Sequence, residues 1–120
     1  MKTAKVNFKG KEYTTCFSLY VIAKCESKSS SFESVLEEVN GNKISTAIWL
    51  FAQMLKAGEL YDKANGENPP AAPTYDELLI TTSVEDISNL VLKGIADTID
   101  AGSEREVEVD PKNAETTQGK

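Results

Sequence analysis

The chain lacks histidine and has few of the side chains that carry covalent chemistry. Its 120 residues include no histidine, two cysteines and one tryptophan. The absence of histidine removes the commonest general base and the commonest metal ligand, and it excludes Ser-His and Cys-His dyads within the chain. General acid–base catalysis would therefore depend on Asp, Glu, Lys or Tyr alone. We expect a protein that is not an enzyme and that needs no metal or cofactor.

The sequence also has few cysteines and no long apolar stretch. Cys16 and Cys25 do not form a C-x-x-C motif, and two thiols cannot make an all-cysteine zinc site. No stretch approaches the roughly 20 apolar residues that span a membrane, and the first thirteen residues, MKTAKVNFKGKEY, are polar. These features predict a cytosolic protein with reduced, partly buried thiols and no membrane association.

The net charge of −6 is unevenly distributed along the chain. Residues 1–30 carry +4, residues 31–102 carry −8 and residues 103–120 carry −2. Proteins that bind nucleic acid usually present a basic stripe with arginine contacts, whereas the only arginine here, Arg105, lies among acidic residues. We therefore expect no nucleic-acid partner.

Alternating polar and apolar residues predict an N-terminal β-hairpin over residues 3–17, with its turn at 9–11. One face of this hairpin is expected to pack on helices. The apolar residues predicted for that face are Val6, Phe8 and Tyr13, with Phe17 as a further candidate. A lone hairpin is barely stable, so it must pack on helices or gain a third strand.

Helical periodicity and capping residues predict the rest of a single α+β domain over residues 1–102, with the hairpin packed on a bundle of about four to five helices. The helix at 43–64 is expected to be central, because Trp49 and Leu50 widen its apolar stripe. The predicted helices cover residues 18–27, 31–40, 43–64, 75–81 and 84–100.

Local patterns predict details of these helices. Capping boxes are expected at Ser30 with Glu33 and at Thr74 with Glu77. The apolar stripe of the first helix is predicted as Leu19, Ile22 and Ala23, and that of the last helix as Val84, Ile87, Leu90, Val91, Ile95 and Ile99. The proline-rich segment 65–73 is predicted to be an exposed connector, although Pro70-Ala71-Ala72-Pro73 also fits the P-x-x-P pattern of a proline-motif ligand.

The residues after Gly102 are open to two interpretations. Residues 105–110 alternate in the manner of a strand, so Val107 and Val109 would add a third, edge strand to the hairpin. Alternatively, residues 103–120 form a flexible acidic tail. The second interpretation is favoured by the near absence of apolar residues from Pro111 to Lys120.

Three segments resemble the tail assembly chaperones of long-tailed phages and prophages of Gram-positive bacteria. They are the opening KVNFKGKEY at 5–13, the central run IWLFAQMLKAG at 48–58 and the helix start TYDELL at 74–79. The resemblance covers residues 4–101. The chain departs from the family pattern at Lys9, where the family has Asn, and in the proline-rich segment, which lengthens the connector.

The resemblance implies a chaperone that binds and solubilises the tape measure protein, helps to recruit tail tube subunits and is absent from the mature virion. It implies a site of action in the cytoplasm of the bacterial host and no catalytic residue. Two other functions remain open at this point. One is a small structural component of the tail or virion, and the other is a host adaptor protein that binds a partner helix.

The partner-binding residues are hypothesised to be Trp49, Leu50, Met54 and Tyr61. Trp49 and Leu50 lie off the main apolar stripe of their helix, and aromatic residues dominate interface hot spots. Free hairpin edges and apolar surface kept for a partner also favour a homo-oligomer when the partner is missing.

Overall fold

A computed structural model describes the backbone of residues 2–109 and the side chains of residues 2–103. These residues form an antiparallel hairpin followed by helices, which confirms the predicted α+β fold. No helix in this part of the chain has both the length and the apolar character needed to cross a membrane. The elements are β1 Ala4–Phe8, β2 Lys11–Thr15, α1 Leu19–Ser29, α2 Phe32–Asn40, α3 Ile44–Ala64, α4 Tyr75–Thr81, a π-helix Ile87–Leu92 and α5 Lys93–Val109.

The hairpin has the register that its two-residue turn dictates. Lys9 and Gly10 both have positive φ, at 54° and 78°, as a type I′ turn requires. This turn places Val6 directly opposite Tyr13. The predicted apolar face is confirmed, since Val6, Phe8 and Tyr13 are all buried.

Helix α3 forms the centre of the molecule, as its wide apolar stripe predicts. It packs against β2, α1, α2, α4, the π-helix and α5. Against β2 the approach is a backbone contact, because a Cβ atom at Gly58 would overlap the carbonyl group of Thr14. One turn earlier, the backbone N–H of Cys16 donates to the carbonyl of Met54 at 3.2 Å.

The predicted stripe of α1 is wrong. The helix buries Val21 and Cys25, whereas the Leu19 side chain is 83% exposed. Leu19 is the first residue of the helix, and helical side chains tilt toward the N-terminus, so this side chain extends past the end of the packed surface.

Only one of the two predicted capping boxes forms. Thr74 and Glu77 make both reciprocal hydrogen bonds, at 3.1 and 2.8 Å. At the start of α2, however, the cap is Ser31, whose hydroxyl accepts from the N–H of Ser34 at 3.0 Å. Ser30 instead ends α1 in the left-handed conformation, with φ 71°.

The last predicted helix, 84–100, is a π-helix followed by α5. Val84 precedes both and is 88% exposed, so it does not belong to the apolar stripe as predicted. The other predicted stripe residues are confirmed, since all are buried or packed against the core: Ile87, Leu90, Val91, Ile95 and Ile99. Helix α5 continues to Val109, so the alternative of an edge strand is wrong over residues 105–109. Residues 110–120 lie outside the described part of the chain.

Candidate partner-binding surface

An open apolar groove lies between α2 and α5. Both helices pack on α3, and they pack on it more extensively than on each other. The space between them encloses about 440 Å³. The residues that line this α2–α5 groove are Leu36, Val39, Asn40, Asn42, Leu92, Ile95, Ala96, Ile99 and Asp100.

The α2 wall is fixed by contacts at both ends of the helix. At its start the ring of Phe32 lies 5.0 Å from that of Phe17, centroid to centroid. Near its end Glu38 accepts a hydrogen bond of 2.6 Å from the Thr46 hydroxyl, and Lys43 lies 3.6 Å away. The Thr46 hydrogen bond, assisted by Lys43, lowers the pKa of Glu38. These contacts hold Glu38 against α3.

The α5 wall is fixed by a buried hydroxyl pair and a close ring contact. Thr98 donates to the carbonyl of Gly94 at 2.6 Å, so the Thr15 hydroxyl, also 2.6 Å away, donates to Thr98. A Cβ atom at Gly94 would lie 2.7 Å from the ring of Phe51. Both contacts set the rotation of α5 about its axis. In this rotation Leu92, Ile95 and Ile99, spaced at helical intervals, face the groove.

The groove has an acidic rim. Asp100 lines it directly. On α2, Glu33 and Glu37 precede the lining residue Asn40 by seven and three residues, and these helical spacings place both glutamates on the Asn40 edge of the groove. Among the described side chains, Glu33, Glu37 and Asp100 have no ion-pair partner. The groove therefore combines an apolar floor with unpaired negative charge.

The four predicted partner-binding residues differ in how far they are exposed. Leu50 and Met54 have no exposed surface and belong to the core, so they are not available to a partner in the folded chain. Trp49 is half-buried, with the Lys28 ammonium group 5.0 Å from its ring centroid. Tyr61 is half-buried near the end of α3. None of the four lines the α2–α5 groove.

Sequence patterns place the groove residues on the correct helix faces but do not reveal the groove. Leu36, Val39, Ile95 and Ile99 recur at the same spacing as core residues, and nothing in that spacing says whether a neighbouring helix covers them. The one available signal is the width of the apolar stripe that runs from the π-helix into α5, which Leu92 and Ala96 extend. A second group of exposed apolar side chains comprises Leu79 and Ile80 at the end of α4 and Val84 in the segment that joins α4 to the π-helix.

A smaller polar cavity of about 120 Å³ lies between the hairpin and the proline-rich connector. Its buried carboxylate is Glu59, with ion pairs of 3.0 Å to Lys63 and 3.3 Å to Lys56. Glu59 also accepts from the N–H of Ala72 at 3.1 Å. Lys63 first, and then Ala72 and Lys56, lower the pKa of Glu59 to about 2 against the opposing effect of burial. This carboxylate ties the connector to α3.

The described residues offer little for covalent or metal chemistry. Cys16 and Cys25 are both buried, and no disulfide joins these two described cysteines. Burial raises the pKa of both thiols, that of Cys25 to about 11, which keeps them in the unreactive protonated form. Within residues 2–103, no group of three or more Cys, Asp or Glu side chains is arranged to hold a metal ion.

Compared with protein-family models, with curated proteins and with solved structures, the chain matches none of them. The resemblance to tail assembly chaperones therefore stays a prediction from the sequence.

Proposed function

We propose that the chain is a tail assembly chaperone of a phage or prophage, which binds helical segments of the tape measure protein in the α2–α5 groove. It keeps that protein soluble in the bacterial cytoplasm and helps to recruit tail tube subunits. The protein is not an enzyme and acts without a cofactor. The observation that carries this proposal is the open apolar groove between two helices.

The size of the groove suits a short stretch of helix. The nine residues of α2 correspond to about 13 Å of helix at 1.5 Å per residue. The interval from Leu92, the last residue of the π-helix, to Ile99 on α5 gives about 10 Å by the same rule. Two walls of this length accommodate about two turns of a partner helix, which would insert apolar side chains at i, i+3 or i+4, and i+7.

The negative charge of residues 31–102 suits a protein that must stay dispersed in solution while it exposes apolar surface. Residues 31–102 carry −8, and like charges on neighbouring copies repel one another. The exposed segment around Ile80 and Val84 lies outside the groove. It offers a second apolar surface, which we assign to the tail tube subunit.

Co-expression with the tape measure protein of the same genome tests the proposal. The soluble fraction of the tape measure protein should rise in the presence of this chain. Ala96→Lys should remove most of that gain, because it places a long charged side chain in the groove. Ala23→Lys is the matched control, since Ala23 is another exposed helical alanine and does not line the groove.

Purified virions separate the chaperone from the alternatives. A chaperone should be missing from virions by mass spectrometry, whereas a structural tail component should be present in a fixed ratio. A host adaptor protein would have no effect on the solubility of the tape measure protein. An unchanged soluble fraction with the wild-type chain would contradict the proposed function.

A further inference from the structure

We infer that the α2–α5 groove selects a basic amphipathic helix, one whose apolar stripe is flanked by lysine or arginine on both sides. This inference deepens the proposed function and rests on it, because it specifies the chemistry of the segment that the chaperone would bind. It is carried by the charges that border the groove on both walls.

The α2 wall contributes only negative charge. Helix α2 contains Glu33, Glu37 and Glu38 and no lysine or arginine. Glu38 is engaged by Thr46 and Lys43 on the side of α3. The other two glutamates are exposed and, among the described side chains, have no ion-pair partner. A helix lying in the groove would therefore meet unpaired carboxylates along its α2 side.

The α5 wall is also acidic where it borders the groove. Over residues 93–103 its charged side chains are Lys93, Asp97 and Asp100. Lys93 is held by Asp97 in an i,i+4 ion pair of 2.8 Å, so these two charges largely cancel. Asp100 lines the groove and remains unpaired among the described side chains. Both flanks of a bound helix would thus face negative charge.

The apolar lining and the acidic rim make different contributions to binding. Burial of apolar side chains supplies most of the affinity, and it is indifferent to the charge of the partner. The rim acts on selectivity, because a partner with acidic flanks would bring like charges together beside the groove. Selectivity should therefore weaken as salt rises, while the apolar contribution persists.

Two synthetic helical peptides test this inference against the full-length protein. They share one leucine stripe at i, i+4 and i+7, and they differ only in carrying lysine or glutamate on the flanks. At low ionic strength the lysine peptide should bind about tenfold more tightly, because a few surface ion pairs each contribute part of such a factor. Calorimetry measures the affinities, and methyl NMR signals of Leu36, Ile95 and Ile99 report the binding site.

Charge reversal at the rim provides the decisive variants. Glu37→Lys with Asp100→Lys should abolish the preference for the lysine peptide. Glu12→Lys with Glu67→Lys changes the net charge equally but alters residues beside the hairpin cavity, so it should leave the preference largely intact. If both double variants reduced the preference for the lysine peptide equally, the reduction would be a general effect of net charge, and this would overturn the inference.

Other outcomes also decide against it. Equal affinity for both peptides, tighter binding of the glutamate peptide, or binding of neither would each contradict selection of a basic helix. The same holds if groove signals shift with protein concentration alone, since a second copy would then occupy the groove. If the chain still solubilises the tape measure protein in any of these cases, the proposed function stands and only the inference fails.

Discussion

Apolar residues at similar spacings are tightly packed on one side of the bundle and left open on the other. On the hairpin side, α3 meets β2 in a backbone contact at Gly58 that leaves no room for even a methyl group. On the other side, α2 and α5 leave about 440 Å³ open between them. Both regions are built on α3 and both are lined by regularly spaced apolar residues. The difference shows that helical periodicity identifies apolar faces without saying which of them are filled.

The largest loss of unfolding free energy is expected on the hairpin side, where α3 contacts β2. Gly58→Ala should cost about 3 kcal/mol or more of unfolding free energy, because the new methyl group overlaps the backbone of Thr14 and neither element can move freely. Chemical denaturation followed by circular dichroism measures this loss. Gly66→Ala is the control, since Gly66 has φ 84° and open space around it, so only conformational strain of about 1 kcal/mol is expected there. Equal losses in both variants would contradict the close contact.

A smaller loss is expected where α5 is anchored to the hairpin. Thr98→Val keeps the shape of the side chain but leaves the buried hydroxyl of Thr15 without its partner. This should cost about 2 kcal/mol, the typical penalty for an unsatisfied buried polar group. The double variant with Thr15→Val removes both hydroxyls and should recover part of the loss. Additive losses in the double variant would show that the two hydroxyls are not coupled.

A pH-dependent loss of unfolding free energy, of intermediate size, is expected at Glu59, which lies between the hairpin and the connector. Its pKa of about 2 lies below the ordinary value of 4.5, so its stabilising contribution is present above pH 4.5 and is lost as the pH falls toward 2. Glu59→Gln should cost about 1.5 kcal/mol at neutral pH, because it weakens charge-assisted hydrogen bonds. Measured between pH 2 and pH 5, the variant should also show a flatter acid-unfolding curve. A curve as steep as that of the wild type would exclude Glu59 as a source of the acid sensitivity.

Local chemistry accounts for the features that were predicted correctly from the sequence. The Lys9-Gly10 turn determines the hairpin register, and Thr74 with Glu77 determines the start of α4. The central place of α3 also follows from a stripe too wide for one neighbour. These features depend on residues close together in the chain, for which propensity and periodicity are sufficient.

The features that were not predicted depend on tertiary packing. The burial of Leu50 and Met54 follows from how many elements surround α3, which their spacing does not reveal. The exposure of Leu19 follows from its place at a helix end, and the exposure of Val84 follows from its place before the π-helix begins. The groove is the clearest case, because an apolar stripe is the same in sequence whether or not a neighbour covers it.

The smallest change in unfolding free energy is expected on the other side of the bundle, at the α2–α5 groove. Ala96→Leu adds three carbon atoms at an exposed position that lines the groove, so the unfolding free energy should change by less than about 0.5 kcal/mol. The same substitution at Ala57, a buried position of α3, should cost about 1 to 3 kcal/mol through overpacking. Denaturation of the two variants under identical conditions measures the contrast. A comparable loss at Ala96 would mean that α2 and α5 close together in solution, and the groove would then have no room for a partner helix.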